Sequence, residues 1–385
     1  MMTSLRKRNY WVEKIEELLA LRSVLWLSGV RRSGKTTLCQ SLERGEFFDC
    51  ELPRVRTQLE DPETFFKRLS GKRVILDEIQ RLYNPSEVLK IAADHFPKVQ
   101  VVATGSSTLS ARRKFKDTLT GRKYELWLTP SICRDLDDWG NLNLSTRMVR
   151  GGLPPFLLSK SGLDRDFQEW LDSFWAKDIQ ELFVIDKRAA FFRFLELLFR
   201  QSGQLFEAQA FSAPCEVSRQ TIMNYLDILE TTHLATVLRP YVGGSAAEIK
   251  SQPKVYGFDT GFVCYFAGID EPDSEEKGQL LEHLTLNELQ ARFHRDTLFY
   301  WRNKAKNEID FVVKPGRGNA VYAIECKNRY KNFDPSAMNA FRKFHPIGRN
   351  LLVALDVDEV SERRVGTLDL VQCPLNALAK QLVSQ

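Results

Sequence analysis

Short apolar runs punctuate the first third of the chain: Val24-Leu25-Trp26-Leu27, Val74-Ile75-Leu76, Val99-Gln100-Val101-Val102-Ala103 and Tyr124-Glu125-Leu126-Trp127-Leu128. Brief apolar runs with polar flanks read as strands buried on both faces. The stretch from Val12 to Leu21, with Glu13, Lys14, Glu16 and Glu17 between its apolar positions, has helical spacing instead. Strands alternating with helices up to about Leu128 predict a parallel sheet covered by helices on both faces. The pattern then changes. Gly151-Gly152-Leu153-Pro154-Pro155 is a cluster of chain breakers that reads as a connecting loop, and the aromatic-rich sequence from Phe167 to Phe199 reads as a helical bridge.

Two later segments return to strands. In Gly203 to Tyr241 a short helix near Leu205–Phe211 precedes a longer one from Ser218 through Glu230. Ile222, Tyr225, Leu226 and Leu229 recur there at helical spacing behind Ser218 as N-cap, and Leu234–Leu238 follows as a strand. This is the cadence of a winged helix. Its exposed Arg219, Gln220 and Asn224 either face a DNA groove or sit on a packing module that also carries Asp227 and Glu230. Near the end, Asn307–Val313 and Val321–Lys327 read as two strands joined by the turn Gly316-Arg317-Gly318-Asn319.

The first strand leads into Gly29-Val30-Arg31-Arg32-Ser33-Gly34-Lys35-Thr36, the spacing G-x-x-x-x-G-K-T. Between strand and helix, such a loop turns backbone N–H groups onto a phosphate chain. Gly29, Arg32, Ser33, Gly34 and Thr37 would line the nucleotide, Lys35 would reach its β- and γ-phosphates, and the Thr36 hydroxyl would hold Mg²⁺. A chance match in a glycine-containing turn would lack this strand–loop–helix context. The run Val74-Ile75-Leu76 ends in Asp77 and Glu78, placed to sit beside the metal and to polarise water, although such a pair can also cap a helix. Thr104, in Thr104-Gly105-Ser106-Ser107, could sense the γ-phosphate or belong to an ordinary turn. The basic segment Arg112, Arg113, Lys114, Lys116, Arg122 and Lys123 is either a solvated face or the source of an arginine finger for a neighbouring subunit, with Arg122 as the preferred finger.

Composition adds bounds. At 385 residues the chain has room for two or three cores, and a net charge of +5 permits nucleic-acid binding without demanding it. Seven scattered cysteines without a C-x-x-C pair argue against a disulfide framework or zinc site and for a reducing cytoplasm. No leader is evident after Arg6-Lys7-Arg8, and no apolar run approaches the length of a membrane span.

In the two late strands, Glu325 and Lys327 share a face, and Asp310 opposite them would bring two carboxylates and an ammonium together. The acids would bind Mg²⁺ through hard oxygens while the lysine positions or deprotonates water, with Glu282 on the preceding helix as a third carboxylate. The alternative is a strand pair with alternating exposed charges. Trp301 and Arg302 could grip a nucleic acid or belong to a buried strand, and Lys327, Arg329, Lys331, Arg342, Lys343 and Arg349 give this region a basic side.

Asp310 followed by Glu325-Cys326-Lys327 resembles the PD-(D/E)xK superfamily of restriction endonucleases and Holliday-junction resolvases. The chain as a whole resembles a prokaryotic family of AAA-like ATPases with a C-terminal domain of that kind, through Gly29 to Thr37, Leu76-Asp77-Glu78-Ile79-Gln80, Thr104-Gly105-Ser106-Ser107, Gly121-Arg122, Gly151-Gly152-Leu153-Pro154, Val255-Tyr256-Gly257-Phe258-Asp259-Thr260-Gly261, Tyr300-Trp301-Arg302, Glu308-Ile309-Asp310 and Glu325-Cys326-Lys327. The resemblance implies an α/β protein with a P-loop NTPase parallel-sheet domain (1–130), a helical lid or linker (131–190), a winged-helix-like domain (191–248) and a restriction-endonuclease-like domain (249–385). It further implies ATP binding and hydrolysis with Mg²⁺, duplex or branched DNA as partner, and a homo-oligomer such as a hexameric ring.

Overall fold

The computed structural model describes residues 7–105, 118–140, 142–159, 164–180, 183–243, 252–316 and 318–382. Ser106, Ser107, Arg112, Arg113, Lys114, Lys116 and Arg317, all invoked above, lie outside them. Five parallel strands form the first sheet: β1 (Val24–Ser28), β2 (Gly45–Asp49), β3 (Arg73–Asp77), β4 (Gln100–Thr104) and β5 (Lys123–Trp127), in the order β2-β3-β4-β1-β5. The central strand β1 is buried along its whole length, as a parallel strand covered on both faces must be, whereas β2 at the edge is half-exposed. The strand order reverses at β1, which is where such sheets open a ligand crevice beyond their carboxyl ends.

The middle of the chain is helical. Helix Asp164–Phe174 runs into a π-helical turn, Trp175–Ile179, and helix Arg188–Arg200 follows. Helix Ala208–Cys215 starts later than the apolar pattern suggests. Leu205 bridges to Lys254 and the Phe206 N–H donates to Pro253 O at 2.7 Å, so this backbone is drawn onto a strand edge instead. Helix Arg219–Thr231 is capped by the Ser218 hydroxyl, which accepts from the Thr221 N–H. Strands β6 (Ala235–Leu238) and β7 (Lys254–Gly257) then form an antiparallel ribbon.

Helix Ser274–Gln290 precedes a second, mixed sheet of β8 (Leu298–Arg302), β9 (Glu308–Val313), β10 (Tyr322–Lys327), β11 (Asn350–Ala354), β12 (Ser361–Val365) and β13 (Leu368–Cys373). Its order is β12-β13-β11-β10-β9-β8, with β8, β9 and β10 antiparallel and β11 parallel to β10. One apolar core runs from Val30 in the phosphate loop through Leu153, Phe156, Trp170 and Phe194 to Ile324 and Leu378. The middle helices are therefore wedged between the two sheets. Gly151, Gly152 and Leu153 of the breaker cluster, expected to be a connecting loop, are buried inside this wedge. Gly151 has φ +79°, and a Cβ on it would collide with the Asp259 carboxylate, while one on Gly152 would collide with the Arg147 guanidinium. No described helix is long and apolar enough to cross a membrane.

Two imidazoles are held neutral inside this structure. His283 Nδ1 lies 2.8 Å from Gln279 O, a carbonyl that can only accept, so Nδ1 carries the proton and Nε2 accepts from the Ser202 hydroxyl at 2.6 Å. His233 stacks on Trp127 with ring centroids 5.2 Å apart. Burial pushes both pKa values down to about 4. Because the unfolded value is higher, the unfolded state binds more protons between about pH 6.5 and 4. Stability contributed by each group is complete above that window and falls as pH descends through it, by at most about 1.4 kcal/mol per pH unit. Urea unfolding at a series of pH values should show His283→Gln with a shallower acid limb than the parent; identical slopes would refute this.

Candidate functional site

The loop after β1 has the backbone that phosphate binding needs. Gly34 adopts φ +95° and ψ 19° at the start of helix Lys35–Gln40, a conformation strained for any other residue. Lys35 is buried, and its ammonium donates to Gly29 O at 2.8 Å and Val30 O at 3.1 Å. Burial pulls its pKa down, while Glu78, Asp178 and Asp77 pull it back. Thr36 Oγ1 donates to Asp77 Oδ2 at 2.8 Å, and the Thr104 hydroxyl donates to Asp77 Oδ1. Glu78 sits just past β3 at φ +54°, its N–H donating to Thr104 Oγ1 at 3.3 Å and its carboxylate held by the Gln80 amide. Lys35, Thr36, Asp77, Glu78 and Thr104 thus converge, with Arg32 and Thr37 exposed beside them.

This donor set fits a Mg²⁺-triphosphate. Thr36 and Asp77 offer adjacent hard oxygens, and the buried Ser33 hydroxyl has no partner among the described residues. Arg122 lies elsewhere. It precedes β5, at the edge of the sheet opposite the phosphate loop, and pairs with Asp94 at 2.7 Å in its own chain. An arginine finger is therefore not delivered to this subunit's own site by Arg122.

Several side chains that hold the loop escaped the sequence reading. Arg8 donates to Ser33 O at 3.0 Å and Thr129 O at 3.2 Å, and pairs with the buried Asp135 at 2.6 Å. Arg31 pairs with Asp178 in the π-helical turn at 2.9 Å, and Trp170 Nε1 donates to Arg31 O at 3.0 Å. Most of these partners lie more than a hundred residues apart, so no local pattern announces them.

A second polar cluster lies on β9 and β10. Their register pairs Ile324 with Phe311, which places Glu325 across from Asp310 at the next step. Lys327 Nζ is 2.7 Å from Glu325 Oε2 and 3.8 Å from Asp310 Oδ2, and the Cys326 N–H donates to Asp310 Oδ2 at 2.8 Å. Glu325 Oε1 is buried with no hydrogen-bond partner among the described residues. Burial, then the neighbouring Asp310, raises the pKa of Glu325 well above the usual carboxylate range and that of Glu282 to about 7.

Two expectations meet the geometry here. Burial disfavours the Lys327 ammonium, but Asp310 and Glu325 outweigh it and raise its pKa, which favours the charged form that positions a ligand over the neutral form that would take a proton from water. The three-carboxylate ligand set Glu282, Asp310 and Glu325 is not preassembled. Among the described residues no three His, Cys, Asp or Glu side chains form a group able to hold an ion; Lys327 contacts two of these acids, and one oxygen of Glu282 accepts from the Tyr256 hydroxyl at 2.8 Å. Mg²⁺ needs only one or two carboxylates and completes its shell with water or phosphate, so the orphaned Glu325 oxygen and Asp310 still fit it.

The basic side is thinner than the sequence suggests. Arg342 is spent on Asn350 and four backbone carbonyls, and Arg349 on Gln381 O, leaving Arg329, Lys331 and Lys343 exposed. Trp301 is fully buried against Phe341, so it belongs to the core and is closed to a nucleobase; Arg302 lies 3.5 Å from Glu308.

Comparison with known proteins follows this division. Residues 141–273 match a family described as a domain of unknown function (DUF8612), and residues 277–374 match another (DUF4143). Uncharacterized proteins of Mycobacterium tuberculosis and Mycobacterium bovis are each 28% identical over 327 residues, covering 82% of this chain and 72% of theirs. Among solved structures, a Walker-type ATPase of Pyrococcus abyssi aligns over 67% of this chain and 95% of its own, with TM-score 0.43 and 16% identity. The DNA clamp loader delta protein of Bacillus subtilis aligns over 57% of this chain and 88% of its own, with TM-score 0.26 and 12% identity. Residues 21–136 match the AAA domain family, in agreement with the parallel sheet and the phosphate-loop geometry, and this part of the chain has a P-loop ATPase-like fold.

Proposed function

We propose that the protein is an ATP-hydrolysing, Mg²⁺-dependent enzyme acting on DNA, duplex or branched, whose nuclease-like C-terminal unit cleaves phosphodiesters. The observation that carries this reading is the juxtaposition of Asp310, Glu325 and Lys327 on adjacent strands, with one buried carboxylate oxygen unpartnered. A divalent cation bound there would act as a Lewis acid on a phosphate oxygen. Asp310 and Glu325 would hold it, and Lys327 would place its positive charge beside the phosphate. The helix Arg219–Thr231 supports DNA as partner, since Arg219, Gln220 and Asn224 are exposed on it and Gln220 and Asn224 are hydrogen-bonded to each other. Because Arg122 lies away from its own phosphate loop, any role at a γ-phosphate falls at a neighbour's site, which requires a homo-oligomer.

The test is a panel of duplex, single-stranded and four-way-junction DNA with Mg²⁺ and ATP at two salt concentrations. Cleavage should appear in the parent and fall by on the order of 10²-fold or more in Asp310→Asn and Glu325→Gln, with ATP turnover retained. Absence of cleavage on every substrate would sink the nuclease reading. A second reading, a nucleotide-switched binding protein with the C-terminal unit as docking surface, draws on Lys327 already lying against both acids.

A further inference from the structure

Strand β7 belongs to the ribbon that follows helix Arg219–Thr231, yet two of its side chains reach the carboxylate cluster. Residues two apart on a strand share a face, and here they are Lys254 and Tyr256. We propose that Tyr256 and Lys254 are positioning residues of the C-terminal site, holding Glu282 and the start of β9 around a divalent cation. The proposal rests on the reading of Asp310 and Glu325 as cation ligands.

Tyr256 is fully buried, with its ring edge-on to His283 at 5.2 Å and tilted against Phe311 at 5.9 Å. A phenylalanine would fill the same volume, so packing does not account for the hydroxyl. Its hydrogen-bond acceptor is Glu282 Oε2, 2.8 Å away, which fixes one carboxylate oxygen of the helix that precedes the second sheet. Lys254 is 5% exposed, and its ammonium lies 2.5 Å from Glu308 Oε1 and 5.8 Å from the Tyr300 ring centroid. A buried lysine on a two-stranded ribbon is costly unless a charge faces it. Glu308 supplies that charge from the first residue of β9, two positions before Asp310. The ribbon thus clamps the cluster from one side, on Glu282 through the phenol and on β9 through the ammonium. The unpartnered Glu325 oxygen, buried in the same cluster, independently marks a place for a cation.

The test uses full-length, nucleotide-free protein titrated with Eu³⁺ alone, read by directly excited luminescence; the decay rates in H₂O and D₂O report how many waters the ion keeps. Tyr256→Phe should weaken Eu³⁺ binding by roughly tenfold to a hundredfold and raise the ion's water count, because an unanchored Glu282 no longer displaces solvent. Lys254→Met should weaken binding similarly, and Lys254→Arg should restore it. A merely structural role would lower the melting temperature without changing the hydration of the bound ion. If Asp310→Asn and Glu325→Gln leave Eu³⁺ binding intact, the cation reading itself fails. If they abolish it while Tyr256→Phe and Lys254→Met keep parental affinity and hydration, the positioning role is overturned. Should Tyr256→Phe fail to fold, the Lys254→Met and Lys254→Arg pair still decides.

Discussion

Lys35→Ala is expected to lower kcat for ATP hydrolysis by on the order of 10²–10³-fold or more, with the fold intact. The ammonium rests on Gly29 O and Val30 O, the loop's own carbonyls, a position it can leave for a triphosphate. Its loss removes a charge aimed where negative charge accumulates during phosphoryl transfer. It removes little stability, because a buried ammonium is itself costly to desolvate and burial dominates its lowered pKa. Steady-state turnover, paired with thermal unfolding, checks both halves. Parental turnover in a folded Lys35→Ala would remove the phosphate loop from the chemistry.

The largest expected loss of stability lies away from any phosphate. Arg147 is almost wholly buried and donates to Ser131 O at 2.8 Å, Thr260 Oγ1 at 2.8 Å and Asn287 Oδ1 at 2.9 Å, with Asp259 at 3.8 Å. Asp259 in turn accepts from the Gly152 N–H at 2.6 Å and the Gly261 N–H at 3.0 Å. This knot ties the chain after β5, the breaker cluster and the helix Ser274–Gln290 together. Arg147→Met should cost about 3–5 kcal/mol in denaturant unfolding, because it leaves Asp259 as an uncompensated buried charge. Adding Asp259→Asn, which keeps an acceptor for the two glycine N–H groups, should recover part of that loss. If the Arg147→Met variant proved as stable as the parent, the ion pair would not be what holds these segments together.

The phosphate loop was legible because its signal is local: Gly29, Gly34, Lys35 and Thr36 stand at fixed offsets between an apolar run and a helix. Asp77 and Glu78 were legible for the same reason, at the end of a short apolar run. Asp310, Glu325 and Lys327 could be aligned from the period of a strand, since one hairpin register decides whether they meet. What resisted reading was long-range. Arg8 looked like one of three basic residues ahead of a helix, yet it is buried against Ser33 and Asp135. Gly151 and Gly152 looked like a linker because glycine marks both free turns and crowded backbones, and only the partners Asp259 and Arg147 tell the two apart. Arg342 and Arg349 counted as surface charge until backbone carbonyls claimed them.

The apolar core that begins at Val30 and ends near Leu378 has a consequence for how such a chain can be cut or recombined. A fragment ending after the first sheet would strip the phosphate loop of Trp170 and Asp178 and lay bare the side of Val30 that faces the middle helices. Grafting that segment onto a foreign partner should therefore keep the loop's side-chain supports only when the helices through Phe199 travel with it.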